Sequence, residues 1–181
     1  MSRTDTIEII PMAEDDWQRQ RDLRLEMLAD SPTAYVESLA TAQAADEAEW
    51  RFRARRSHFA GSTGVIAVDR AADRFVGTMS AYTDDERGRT WVVAVYVAPD
   101  HRGREPGQRG VADLMLDAVE EWAVREGKAE LYLEVHEDNA RAQAFYARRG
   151  FEPTGSTRPY DLDPSQNELE MRKALAARAT A

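Results

Sequence analysis

One stretch, Trp91 to Leu116, constrains this 181-residue chain more than any other. Trp91-Val92-Val93-Ala94-Val95-Tyr96-Val97 is apolar and β-branched and reads as a buried strand. His101-Arg102-Gly103-Arg104-Glu105-Pro106-Gly107-Gln108-Arg109-Gly110 follows. A helix begins directly after it, with Val111, Met115, Ala118, Val119 and Trp122 on one face. Glycines let a backbone come close to a ligand. The first amides of a helix point outward unpaired, at the positive end of its dipole. Arg102, Arg104 and Arg109 add positive charge in the same loop. A strand, a Gly/Arg loop and a helix in that order make a physical recipe for binding a polyphosphate. The alternative is a solvated basic turn, and the placement between a β-branched strand and an amphipathic helix favours the anion site.

Two common polyphosphate motifs are excluded. No G-x-x-x-x-G-K-[ST] is present, so the P-loop route to nucleoside triphosphates fails. Gly103, Gly107 and Gly110 do not make G-x-G-x-x-G, and the chain offers one β-α-β unit where a dinucleotide fold repeats them.

The rest of the chain fills in a fold around this segment. Residues 7–11 read as a first strand, 15–29 as a helix carrying Trp17, Leu23, Met27 and Leu28 inward, and 46–56 as a second helix with Trp50 inward. Residues 33–45 between them read as irregular or weakly helical. Three strands follow at 64–69, 75–82 and 90–98, separated by turn residues that make them an antiparallel meander. After the central helix, which Gly127 ends, 130–136 reads as a strand. A helix from Asp138 to Arg149 is closed by Gly150, and two strands lie near 151–157 and 168–173. The order is β-α-α-β-β-β-α-β-α-β-β. That pattern predicts an α+β fold with a mixed, mostly antiparallel central sheet of about seven strands and four flanking helices. The length suits a single domain over 1–181 with a core of about 6–174.

Composition narrows the partners. A formal net charge of −9 argues against nucleic-acid binding, which needs a basic footprint. No apolar run approaches the ~20 residues of a membrane span, and Met1 to Asp5 lacks the apolar core of a signal peptide. Cysteine is absent, so no disulfide, thiolate nucleophile or Cys-based metal site is available. Three scattered histidines do not suggest a metal centre. These features lead to the expectation of a cytoplasmic protein without metal, membrane or nucleic-acid partners.

Val95-Tyr96-Val97-Ala98-Pro99, then Arg102-Gly103-Arg104 and Gly110-Val111-Ala112, resembles the coenzyme A signature of the GNAT N-acetyltransferases. In that family a strand ending in V-x-P runs into R-G-x-G-x-[GA] and a helix. Asn139, Ala142, Phe145-Tyr146 and Gly150-Phe151 are similar to the family's second signature, N-x-x-A-x-x-x-Y-x-x-x-G-F, and Leu131-Leu133-Val135 supplies the strand between. One departure stands out: Glu105-Pro106-Gly107-Gln108-Arg109 is inserted before Gly110. The resemblance implies acetyl transfer from acetyl-CoA to a primary amine of a small molecule or peptide, by direct attack in a ternary complex. A non-catalytic acyl-CoA-binding sensor or interaction domain is the alternative, and a homodimer is left open.

The resemblance also implies roles. Val95, Tyr96 and Val97 would line the pantetheine arm. Arg102, Gly103, Arg104, Arg109, Gly110, Val111 and Ala112 would surround the phosphates. Asn139 would contact the coenzyme, and Tyr146 would protonate the leaving thiolate. Helical spacing is consistent with this, because Asn139, Ala142 and Tyr146 fall on one helix face. A phenol with a pKa near ~10 can protonate a thiolate, but a capping Asn139 and a core Tyr146 would fit the same spacing. In the 130–136 strand, Tyr132, Glu134 and His136 share the face opposite Leu131, Leu133 and Val135. Glu134, and after it His136, is the candidate base. Tyr35, Glu37 and Tyr160, with Asp161 and Asp163, are acceptor-site candidates by resemblance to the family's cleft.

Overall fold

The computed structural model describes residues 4, 6–32, 34–103 and 108–176. Seven strands form one sheet: β1 (Ile7–Pro11), β2 (Ser62–Asp69), β3 (Arg74–Thr83), β4 (Thr90–Val97), β5 (Glu130–His136), β6 (Glu152–Tyr160) and β7 (Asp163–Ala174). Their spatial order is β1-β2-β3-β4-β5-β7-β6, and every neighbouring pair is antiparallel except β4–β5. Five helices surround it: α1 (Trp17–Asp30), α2 (Leu39–Ala44), α3 (Glu47–Arg55), α4 (Val111–Arg125) and α5 (Ala140–Arg148). The mixed, mostly antiparallel sheet of the α+β expectation is therefore present.

The helix count differs from the expected four. The segment read as irregular or weakly helical contains α2, whose six residues are too few to show a period. Its N-cap Ser38 accepts a hydrogen bond from the Thr41 amide at 3.1 Å. The C-terminal strands are also longer than their apolar patterns, so the acceptor candidates Tyr160 and Asp163 sit on strands and only Asp161 lies between them. β6 is almost wholly exposed and holds Pro153, Gly155 and Pro159. It is an edge strand defined by its pairing with β7, which side-chain alternation cannot reveal.

The two sheet faces differ. Val111, Met115, Leu116, Val119 and Trp122 of α4 join Val65, Met79, Leu131, Leu133 and Val135 in the main core. Gly77 permits the close approach of this helix, since a Cβ there would lie 3.0 Å from Met115 Cε and from the Tyr96 carbonyl. A smaller cluster of Leu28, Ala42 and Trp50 joins α1, α2 and α3. Asp46 caps α3 through the Glu49 amide at 2.9 Å.

The feature that creates a site is a defect in β4. β3 and β4 pair from Thr83↔Thr90 to Ser80↔Val93 and resume at Thr78↔Tyr96. Two residues of β4, Ala94 and Val95, therefore oppose one residue of β3, which is a β-bulge. Ala94 takes a left-handed φ of 53°. β5 pairs with β4 only at Trp91↔Tyr132. Beyond that pair the two parallel strands part, and the sheet opens into a wedge.

Candidate active site

A cleft of about 1510 Å³ runs through this wedge, from the start of α4 to the α1–α2 connection. At one end Gly110 caps α4 in an extended conformation. Asp113, buried at the third helical position, accepts the Gly110 amide at 2.9 Å. The amides of Val111 and Ala112 have no acceptor inside the helix, which leaves an electropositive terminus at the cleft. Arg141 and Arg148 of α5 line the same end. Arg148 is loosely held, 3.8 Å from Asp113, while Arg149 makes the tighter contacts to Asp113, Asp117 and Glu120.

Of the residues expected around a coenzyme, Val95, Tyr96, Val97, Arg102, Gly103, Gly110, Val111, Ala112, Asn139 and Tyr146 all line the cleft. Arg102 is already engaged: its Nε donates to the Val97 carbonyl at 2.7 Å and its guanidinium ion-pairs with Asp30. Arg109 pairs with Asp117 on the flank of α4. Arg104 lies outside the described residues. Asn139 caps α5, its Oδ1 accepting the Ala142 amide at 3.0 Å, and also faces the cleft.

Local sequence explains how Tyr146 is held. Gly150 adopts a φ of 86°, and its amide donates to Ala147 while Phe151 donates to Tyr146, each at 3.0 Å. This terminator swings Phe151 back onto the helix, where its ring meets Tyr146 edge-on at 5.6 Å, as Phe145 does at 5.1 Å. The ring is 6% exposed and lines the cleft. Burial pushes the phenol well above its ordinary range, so it stays protonated and available as a donor.

Of the acceptor-side candidates, Tyr35 and Glu37 line the opposite end of the cleft, whereas Tyr160, Asp161 and Asp163 are not among its lining residues. The Tyr35 hydroxyl donates to the Val95 carbonyl at 2.8 Å, and the Tyr160 hydroxyl donates to the Tyr35 carbonyl at 3.1 Å. These two phenols brace the loop against the bulge. Glu37 is clamped between Arg24 and Arg53 at 2.8 and 2.7 Å. Burial would raise its carboxyl, but the two arginines outweigh that and hold it below the usual range. Asp161 pairs with Arg158 at 3.1 Å, and Asp163 closes its own turn with Ser165. His136 is committed at both nitrogens: Nδ1 accepts the Asp138 amide at 3.2 Å, so the proton sits on Nε2 and faces Gln166 Oε1 at 2.7 Å.

Glu134 lines the cleft with its carboxylate 2.7 Å from Arg158. Beside it stands Glu168 of β7, directly across from His136 in the register. Arg158 Nη2 approaches Glu168 Oε2 to 2.5 Å without the alignment of a hydrogen bond. Burial raises the Glu168 carboxyl above the usual range; Arg158 opposes this and Glu134 adds to it. Sequence reasoning missed Glu168, Arg141 and Arg148. Glu168 meets the cleft through strand pairing that no local pattern encodes. The two arginines share a face with each other, but it is roughly opposite the face of Asn139 and Tyr146, so helical spacing did not point to them.

Among the described residues, no group of three or more His, Asp or Glu side chains is arranged to hold a metal ion. Among the described residues, no helix is long and apolar enough to cross a membrane.

A bulged fourth strand, a wedge toward the fifth and an open helix N-terminus at its mouth together shape the cleft. Residues 24–151 match the acetyltransferase (GNAT) family, and the chain belongs to that family. No curated protein matches the sequence significantly. Among solved structures it is similar to a GNAT-family acetyltransferase from Streptococcus pneumoniae, at 14% identity and a TM-score of 0.77 over 94% of this chain and 99% of that one. It is also similar to yncA from Salmonella typhimurium, whose structure holds its cofactor acetyl-CoA, at 16% identity and a TM-score of 0.74 over 97% of each chain. A third is the ribosomal-protein-alanine N-acetyltransferase of Brucella melitensis, at 20% identity and a TM-score of 0.75 over 93% and 99%.

Proposed function

We propose that this acetyltransferase moves the acetyl group of acetyl-CoA to the nitrogen of a primary amine, by direct attack with both substrates bound. The observation that carries the reading is the wedge between β4 and β5, with the Tyr146 phenol on one side and the Glu134–Glu168 pair lining the other. The open amides of Val111 and Ala112, with Arg141 and Arg148, suit the pyrophosphate and 3′-phosphate. The bulge exposes strand edge to the pantetheine arm, which would lie beside β4 like an added strand. Bound there, the coenzyme supplies an activated thioester.

The chain's own groups then handle protons. An amine reaches the cleft as an ammonium, and Glu168 takes its first proton and passes it to solvent. The freed nitrogen lone pair forms the C–N bond. As the C–S bond breaks, Tyr146 gives its proton to sulfur, and the second nitrogen proton returns to Tyr146 through solvent. Glu134 takes part through Arg158, which it shares with Glu168. No covalent enzyme species is required.

Isotope tracing tests this. With acetyl-CoA labelled in the acetyl group, label should appear on the amine and never on protein recovered after denaturation. Stoichiometric label on the protein would overturn direct transfer.

A further inference from the structure

Four polar side chains share one face of the last three strands. In register, Glu168 of β7 stands between His136 of β5 and Arg158 of β6. Glu134 lies two residues before His136 and so belongs to the same face. From β6 to β5 is two strand spacings, roughly 10 Å, and Arg158 and Glu134 close that span by reaching toward each other over β7. The three guanidinium nitrogens go to three carboxylates. Nε donates to Glu134 at 2.7 Å, Nη1 donates to Asp161 at 3.1 Å, and Nη2 stands 2.5 Å from Glu168. Glu170, two residues along β7, has its own arginine, Arg89, at 3.1 Å.

The guanidinium is divided unequally. Glu134 receives an aligned, charge-assisted hydrogen bond, which favours its ionised form and weakens it as a proton acceptor. Glu168 receives proximity alone, and its buried Oε2 accepts no hydrogen bond. Its side chain is 11% exposed, against 27% for Glu134 and 57% for Asp161. The most buried of the three carboxylates is thus the one that Arg158 does not hydrogen-bond. Other groups face the pair. Asp161 and Glu134 disfavour the ionised form of Glu168, His136 favours it, and the Tyr160 hydroxyl of β6 is within electrostatic range. Tyr82 of β3 is within the same range of Glu134 and Arg158. Two carboxylates in surroundings this different are suited to different roles.

Resting on the amine-acetyltransferase reading, we infer that Arg158 is a positioning residue: by holding Glu134 in a hydrogen bond it makes Glu168 the carboxylate that takes the ammonium proton. The proton moves from nitrogen to the Glu168 carboxylate and on to solvent, and Glu134 stays ionised against Arg158 throughout. The same cation offsets part of the burial at Glu168, so the lower limit of the working pH is set from β6. Arg158 is 40% exposed on an edge strand, and its replacement leaves the core untouched.

The test reads the two glutamates directly, by carbon NMR titration of the full chain labelled at the glutamate carboxyl carbon. Glu134→Gln and Glu168→Gln assign the two resonances. Glu168 should titrate at higher pH than Glu134. Removing a cation raises a neighbouring carboxyl, so Arg158→Gln should move Glu168 up by about one pH unit, the lower end for an opposite charge at this distance. Arg158→Lys, which keeps the charge, should undo about half of that shift or more. The kinetic arm follows thiol release from acetyl-CoA with spermidine, tyramine and lysine amide. The acidic limb of kcat/KM should survive Glu134→Gln and move to lower pH, because a like charge is gone and Arg158 is freed for Glu168. In Arg158→Gln it should move up with the Glu168 resonance. Glu134 titrating above Glu168, a Glu168 resonance unmoved in Arg158→Gln, or a limb abolished by Glu134→Gln would overturn the assignment and leave acetyl transfer standing. Resonances that shift as expected, with no thiol released by any of the three amines, would uphold the charge arrangement and sink the transferase reading.

Discussion

Tyr146 is fixed on three sides, by Phe145, by Phe151 and by its own helix, and its hydroxyl end belongs to the cleft. Tyr146→Phe keeps those ring contacts and removes one proton donor. If the phenol protonates the leaving thiolate, turnover should fall by about 10²-fold, the lower end for general acid catalysis, with acetyl-CoA affinity unchanged. Parallel measurement of kcat and coenzyme Kd decides it, since a loss of affinity instead would make the residue a coenzyme contact. Glu168 calls for a pH profile. Its folded pKa is raised, and only the ionised form accepts a proton, so kcat/KM should decline as pH falls through a value above the ordinary glutamate range. Glu168→Gln should lower the rate and remove that acidic limb. A limb preserved in the variant would assign it to another group. At this scale the sequence was informative wherever helical spacing applied. Asn139, Ala142 and Tyr146 share a face, while Arg141 and Arg148 share a roughly opposite one, and spacing alone did not bring them to the cleft. Tyr35, Glu37 and Tyr160 reach the site region too, but as braces and ion-pair partners. Which atom such a side chain meets depends on partners 13 to 125 residues away, and spacing carries no record of that.

The elements that matter most are β4 and α4. The strand, the loop and the helix were legible from apolar periodicity and the Gly/Arg cluster, and their bounds shifted by only one or two residues. The bulge was not legible. Trp91 to Val97 is a smooth apolar run, and the extra residue shows only in its register against β3. The sixth strand was shortened in the reading for the converse reason, because its residues are exposed and its identity comes from β7. Gly110 offers the sharpest test of the helix terminus. It sits at φ −88° and ψ 170°, a conformation open to any residue, so Gly110→Val probes the ligand's approach and not the backbone. Wild-type protein should gain thermal stability with acetyl-CoA, as for any ligand selective for the native state. Gly110→Val should lose most of that gain while keeping its own melting temperature within a few degrees. An undiminished shift would move the phosphate site elsewhere.

At the scale of the whole molecule, the proposed function uses the helix terminus for the coenzyme and the wedge between β4 and β5 for the meeting of thioester and amine. The net charge of −9 is compatible with the proposed polyanionic coenzyme because positive groups are local: Arg141 and Arg148 line the cleft. The most direct measurement is the initial rate of free thiol release from acetyl-CoA, across amines of different shape, with coenzyme binding followed in parallel by thermal shift. Thiol release that requires an amine, saturates in both substrates and drops with Tyr146→Phe is the predicted result. A clear acetyl-CoA thermal shift with thiol release no faster than background for every amine would contradict it.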